Sequence, residues 1–304
     1  MTDFLVIGES VADIVRAPGR ADLPHPGGSP ANVAYGLARL GRDTALLTQL
    51  GADPMGELIS AHLRSAGVRL LSDGQQGVRT PTALVTLDAD GQAGYTFDIE
   101  WTLRPVPLPF TPRHVHLGSI AAVTEPGAET AAALVDSLRG QATVSYDPNV
   151  RPALMGGRPE AVRRVERCVA LSDLVKASDE DLGWLYPGVP IPDVAARWLA
   201  LGPALVLVTR GGDGASGFTG GETVASPAVR TAVVDTVGAG DSFMSATLDA
   251  LAALDLLGAG ARTGLAALDA TAVAGILTDA GRAAAVTVSR AGANPPDRQE
   301  LQGS

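Results

Sequence analysis

Short runs that are apolar at nearly every position, each followed by a longer helical stretch, recur along the 304-residue chain and constrain its fold more than any other feature. They read as strands at 3–8 (DFLVIG), 44–50, 114–118, 142–147, 173–177 and 204–209. A strand that alternates apolar with polar residues shows one face to water, whereas a strand apolar throughout is buried on both faces. The helical stretches between them, at 29–40, 54–66, 126–138, 159–171, 178–186, 191–201, 241–256, 260–276 and 279–288, supply the covering layers. This alternation predicts a doubly wound α/β fold, a mostly parallel sheet flanked by helices. With 46% hydrophobic residues and no internal repeat, residues 1–304 read as one domain.

One segment departs from the pattern. Residues 79–101 read as two strands joined by a turn at Asp88-Ala89-Asp90-Gly91, and residues 9–16 are strand-like as well. Together, about 9–25 and 79–105 predict a small β-strand lid that covers a substrate pocket or joins a second copy of the chain.

Charge and cysteine usage exclude several partners. A net charge of −10 argues against nucleic acid, which needs clustered Lys and Arg. The single Cys168 permits no internal disulfide and fits a reducing, cytoplasmic compartment. Met1 to Gly8 reads as a strand, not a signal peptide, and no apolar run reaches the about eighteen residues of a membrane helix.

Two glycine-rich strings carry the chemistry. Asp235-Thr-Val-Gly-Ala-Gly-Asp-Ser-Phe243 leads into an amphipathic helix. Gly238 and Gly240 let the backbone turn so that successive N–H groups point outward at a helix start, an anion site built from peptide dipoles. Asp241 inside such a site suits a base that takes the proton of an attacking hydroxyl while the loop, Gly238, Ala239 and Gly240, holds a phosphoryl group. Taken alone, Asp241 reads more readily as a helix-capping residue, and the full nine-residue string shifts the balance toward the base. The second string, Gly27-Gly28-Ser29-Pro30-Ala31-Asn32 with Gly36 and Gly41, opens another helix and offers the Asn32 amide to a polyol. A helix with a glycine-rich start is the plain alternative.

The two strings together resemble the signatures of the PfkB/ribokinase family of carbohydrate kinases: GGSPANVAYGLARLG (27–41) and DTVGAGDSFMSA (235–246), in that order. The likeness continues through Gly8, Glu9 and Asp13, through Asp147-Pro-Asn-Val-Arg151 and Thr209-Arg-Gly-Gly-Asp-Gly-Ala215, and ends in SRAGANPP (289–296). It therefore spans essentially the whole chain. The resemblance implies Asp241 as catalytic base and Asp13, Gly28 and Asn32 as sugar ligands. It implies a nucleotide site around Lys176, Ser178, Thr209, Gly211, Gly214 and Gly240, with ATP across 209–217 and 260–290 and Mg²⁺ on its phosphates. An Asn-x-x-Glu element that organises Mg²⁺ in the family is Ser178-Asp-Glu-Asp181 here, altered at both ends, so Asp181 carries that metal role only weakly. Some relatives bind a monovalent cation such as K⁺ through the residue matching Asp235, and a homodimer through the lid is a common habit of the family.

The DPNVR string (147–151) and the ending resemble the fructokinase branch. The 2-keto-3-deoxygluconate kinases share DPNVR; their carboxylate-bearing substrate would suit Arg104 and Arg151. Asp98, Glu100 and Trp101 are further candidates to set selectivity. A ribokinase-type substrate and a non-catalytic sugar- or nucleotide-binding protein on the same scaffold are the alternatives, the latter disfavoured by an intact Gly238, Gly240 and Asp241.

Other readings fail on context. Gly212-Asp-Gly214-Ala-Ser-Gly217 matches a dinucleotide fingerprint, but a turn and a strand follow it where a helix is required. The chain's single lysine, Lys176, has no glycine loop before it, so there is no P-loop. His114 and His116 lack a third ligand and read as strand residues, and Cys168 reads as core.

Overall fold

The computed structural model describes residues 3–16, 22–72, 75–87 and 93–303; the turn at 88–91 lies outside them. Thirteen strands appear among these residues: β1 (Phe4–Ile7), β2 (Val11–Arg16), β3 (Leu23–Gly27), β4 (Thr44–Leu47), β5 (Arg69–Leu71), β6 (Thr82–Leu87) and β7 (Ala93–Asp98) in the first third. After them come β8 (His114–Gly118), β9 (Thr143–Asp147), β10 (Leu174–Ser178), β11 (Leu205–Thr209), β12 (Ala215–Phe218) and β13 (Thr223–Ser226). The helices are α1 (Ser29–Arg39), α2 (Pro54–Ser65), α3 (Gly127–Leu138), α4 (Pro152–Met155), α5 (Arg158–Ala170) and α6 (Asp179–Leu185). They continue as α7 (Ile191–Leu199), α8 (Ala239–Ala253), α9 (Arg262–Ala266), α10 (Ala270–Val288) and α11 (Arg298–Gly303).

The central sheet runs β13-β12-β11-β10-β9-β8-β1-β4-β5, parallel from β11 to β5 and antiparallel only at β12 and β13. From β12 to β4 both faces of it are buried, as the apolar runs require, while the edge strands β13 and β5 are partly exposed. In β1, Leu5 and Ile7 join one core with Val115, Val144, Val165 and Trp198, while Phe4 and Val6 join the other with Leu37, Met244 and Leu277. The sheet is thus a doubly wound layer between two helical layers. No helix among the described residues is long and apolar enough to cross a membrane.

Segment 79–101 and its partners form a second sheet, β3-β2-β6-β7, in which β2 pairs antiparallel with β3 and parallel with β6. Two elements differ from the expectation. The predicted helices at 260–276 and 279–288 are cut elsewhere: α9 ends at Ala266, and one continuous 19-residue α10 follows. Asp269 caps α10 by accepting from Ala272 N at 2.8 Å, and Thr278 bonds back to the Ala274 carbonyl without breaking the helix. Gly217 explains why α10 lies so close to β12: a Cβ there would sit 2.6 Å from Val273 Cγ1. The fingerprint-like glycines at 212–217 therefore include a packing position.

His114 and His116 behave as strand residues. His114 shares hydrogen bonds with the Thr143 and Ser145 hydroxyls at 2.9 and 2.8 Å, and His116 shares one with Ser145 at 2.9 Å. Burial pushes both imidazoles down to about 3, so they are neutral. Cys168 is buried in the core.

Candidate active site

In an open parallel sheet, ligands bind beyond the carboxyl ends of the strands, where the winding direction reverses. Here the chain leaves β1 toward β4 and β5, then returns to β8 on the other side of β1, so the reversal lies between β1 and β8. Residues 8–13 and 119–121 open from that point. Two non-glycine residues with left-handed backbone stand at neighbouring strand ends, Ser119 (φ 60°) after β8 and Asn149 (φ 36°) after β9. Strained backbone of this kind collects at functional sites.

The second glycine string forms the start of α8. Gly238 is its N-cap in the left-handed region (φ 76°), and a Cβ there would meet Ala293 at 2.6 Å. Asp235 fixes the approach: one carboxylate oxygen accepts from Val237 N at 3.0 Å and the other from Gly292 N at 2.9 Å. Those two N–H groups hold its carboxyl below the usual range. The first i→i−4 bond of α8 runs from Ser242 N to Gly238 O, so the N–H groups of Gly240 and Asp241 belong to the turn in which a helix has no internal acceptors. This is the dipole-positive end expected of an anion site.

The first string starts α1, and it closes on the second. Ser29 Oγ donates to Asp241 Oδ1 at 2.6 Å, and Asn32 Nδ2 donates to Asp241 Oδ2 at 2.8 Å. Asn32 therefore faces the carboxylate expected to be the base, and Ser29, which carried no role in the sequence reading, holds the other oxygen. Gly28 is needed for this approach. Its φ of 97° is unfavourable for other residues, and a Cβ would fall 2.7 Å from Glu9 O and 3.0 Å from Ser10 Cα.

Asp13 stands on β2 beside the same opening, close against Gly27 and opposite His25 of β3. Burial pushes its carboxyl up to about 6; Arg151 and His25 pull it back and Asp241 pushes it further up. Asp13 thus senses the charges of Arg151, His25 and Asp241. Glu9 is buried and bonds Ala121 N at 3.1 Å; burial raises it to about 7, against the pull of Ser119, backbone N–H groups and Arg151. Nothing in the sequence singled out His25, because its place depends on the β2–β3 register.

Behind the anion loop lies Lys176. Its Nζ pairs with Asp147 Oδ2 at 2.8 Å, both side chains almost fully buried. A Cβ on Gly240 would sit 2.9 Å from this ammonium. Lys176 therefore stands under the loop, and its pKa is raised by Asp147, Asp181 and Asp241 despite burial, which opposes the charge. Asp181 shares a capping box with Ser178, and its oxygens accept from Val150 N at 2.7 Å and Ser178 N at 2.8 Å. It fastens the 147–151 loop to α6. No cluster of three His, Cys, Asp or Glu residues suited to a metal occurs among the described residues.

The remaining candidates are dispersed. Thr209 ends β11, and Gly211 opens a single helical turn, 211–213. Gly214 (φ 86°) packs against β13, where a Cβ would meet Ser226 O at 2.1 Å. Arg151 donates to Asn149 Oδ1 at 2.9 Å and to the Val150 carbonyl. Arg104 is not assembled with the others: it donates to the Gln76 carbonyl and borders α3 with Glu129 and Leu134. Trp101 is buried against Gly127, and Asp98 pairs with Arg79.

Comparison with known proteins adds independent support. A fructokinase of Rhizobium leguminosarum bv. trifolii is 37% identical over 259 residues, covering 82% of this chain and 79% of its own. A Klebsiella pneumoniae fructokinase is 35% identical over 259 residues, with 82% and 84% covered. Among solved structures, the fructokinase of Xylella fastidiosa with bound ATP superposes with a TM-score of 0.85 at 27% identity, covering 100% of this chain and 98% of its own. The Vibrio cholerae fructokinase bound to fructose, ADP and calcium gives 0.81 at 25% identity, with the same coverage. The family model described as pfkB family carbohydrate kinase matches residues 1–300, and this chain, with both signatures meeting at Asp241, belongs to that family.

Proposed function

We propose that this sugar kinase transfers the γ-phosphoryl group of ATP to a hydroxyl of fructose, with Asp241 as the base. The observation that carries the proposal is the pair of hydrogen bonds from Ser29 and Asn32 to the two oxygens of Asp241. They fix a carboxylate at the mouth of a helix N-terminus, where an attacking hydroxyl and a phosphoryl group can meet. Asp241 takes the hydroxyl proton as the phosphoryl moves in line. In a loose transition state that proton leaves late, so an ordinary carboxylate suffices. The Gly240 and Asp241 amides stabilise the charge that develops, and buried Lys176 adds a fixed positive charge beneath them.

Asp13 and the Gly28 region hold the sugar. The nucleotide lies along 209–217 and the C-terminal part of α10, where Val234 N bonds the Val288 carbonyl and Val233, Val234 and Val237 are exposed. Mg²⁺ carried on the nucleotide phosphates would supply charge neutralisation during transfer, and Asp235 would be the residue to hold a K⁺. Fructose is favoured over a sugar acid because Arg104 donates to the Gln76 carbonyl and Arg151 to Asn149 and the Val150 carbonyl. The second sheet serves as lid and as the surface for a homodimer, where the cross-strand pair Val15 and Leu23 is exposed. A cytoplasmic setting agrees with a lone, buried thiol.

A coupled ADP-release assay with Mg-ATP and fructose, 2-keto-3-deoxygluconate and ribose tests this. Fructose should stand above the others, and Asp241→Asn should lose at least ~100-fold in kcat, the low end for a positioned acid–base group. Near-parental turnover in that variant would remove Asp241 from the role.

A further inference from the structure

We infer that Arg298, in the C-terminal segment, is a positioning residue that clamps the two helices on which the site is built. The inference rests on the kinase reading for its catalytic consequence and on geometry alone for the clamp. Asp241 belongs to α8, and the groups that hold its carboxylate, Ser29 and Asn32, belong to α1. The relative placement of these two helices therefore sets the placement of the base.

Two contacts fix that placement away from the site. Where the helices touch, Gly36 of α1 lies against α8 so closely that a Cβ would be 2.5 Å from Ser245 Oγ. Further along, the buried carboxylate of Asp249 in α8 receives two guanidinium groups. Arg42, just past the end of α1, donates through Nε to Oδ1 at 2.6 Å and through Nη2 to the Asp249 carbonyl at 3.1 Å. Arg298 donates through Nη1 to Oδ2 at 2.8 Å and through Nη2 to Oδ1 at 2.6 Å. The same guanidinium also donates through Nε to the carbonyl of Leu40, the C-cap of α1, at 3.1 Å. One planar, five-donor group thus joins the end of α1 to the body of α8, which a lysine could not do with the same geometry.

The segment bearing Arg298 is itself anchored. Glu300 accepts from Arg39 of α1 at 3.1 Å and from Arg290 at 2.7 Å, and Pro295 approaches Gly36. From Asp249 to Asp241 is eight residues of α8, about 12 Å along the helix. A rigid helix carries a displacement over that length, and misplacement by about 1 Å of a catalytic group costs up to about 100-fold in rate.

The test compares Arg298→Ala with Arg262→Ala in the full chain. Arg262 is an arginine of similar bonding, to Asp173 and the Ala142 carbonyl, at the opposite ends of β9 and β10. Hydrogen exchange is followed on residues 28–36 and 236–245, and kcat and KM are measured with fructose and Mg-ATP. The clamp predicts faster exchange in both segments and a kcat lower by about 10-fold or more in Arg298→Ala, with KM for fructose within about twofold. Arg262→Ala should show neither. If Arg298→Ala does not fold, Arg298→Lys is used, for which an intermediate change in both readouts is expected. Exchange that rises only around Asp249 and the C-terminal segment, with parental kcat, overturns the inference. A parent inactive on every sugar would count against the kinase reading, while the exchange measurement would still decide the clamp.

Discussion

Replacing Lys176 with methionine keeps the length and apolar character of the side chain and removes its charge. Lysine occurs once in this chain, and here it is 4% exposed. Its partner Asp147 is fully buried, 2.8 Å away, and also faces the negative charge of Asp181 and Asp241. Breaking a buried pair by removing one member costs about 3–5 kcal/mol, because the remaining charge has no compensation. At the unfolding entropy typical of globular proteins, that lowers the Tm of a chain this long by about 5–8 °C. The sign of the pH dependence follows from Asp147. Burial raises its carboxyl to about 6, with Lys176 pulling it down; without the lysine it rises further above its unfolded value. A carboxyl raised in the folded state is compatible with folding below its unfolded pKa and loses stability as pH rises through the folded value. The deficit of Lys176→Met should therefore grow as pH rises above ~6, the folded Asp147 value with the lysine in place, and be smallest below it. Thermal unfolding at several pH values measures this, and the double variant Lys176→Met/Asp147→Asn should recover more than half of the loss, since no buried charge remains. A deficit that does not depend on pH, or a double variant no better than the single one, would refute the reasoning.

Other consequences are as direct. Gly28→Ala combines a disfavoured backbone angle with contacts to the Glu9 and Ser10 backbone that no side chain can relieve. It should cost about 2–4 kcal/mol by chemical denaturation, and its activity should fall with the displaced start of α1. Asp13, raised to about 6 by burial, loses its charge as pH falls through that value. If it accepts a hydrogen bond from a sugar hydroxyl, KM for fructose should rise below pH ~6 while kcat changes less, and Asp13→Asn should flatten the profile. A KM that is level from pH 5 to 8 would exclude Asp13 from the sugar site.

Much of the fold was legible because its signals are local. All six apolar runs became strands of the central sheet, since a run such as FLVI can satisfy its backbone and bury both faces only inside a covered parallel sheet. The helix boundaries failed around 260–288, where alanine-rich sequence offers little contrast and a single cap, Asp269, decides the start, and the short α4 and α11 form where no helix was read. The short β3 and β5 carry too few apolar residues to stand out, and pairing with β2 and β4 creates them. Trp101 read as a selectivity residue from its place in the chain, yet it fills the space left by Gly127, a contact no spacing rule reveals.

The sequence by itself determined the backbone chemistry of the site: where glycine permits left-handed turns, which helix starts can receive an anion, and where a lone carboxylate enters one of them. Those properties belong to a few consecutive residues and survive in any context that lets the helix form. Only the tertiary structure decided which side chains meet. Ser29 and Asn32 reach Asp241 across 212 and 209 residues, Lys176 is set beneath Gly240, Asp181 is spent on backbone N–H groups, and Arg104 faces Gln76. Such meetings follow from the order of the strands and the packing of α1 on α8, quantities to which every residue of the core contributes and which no local pattern contains.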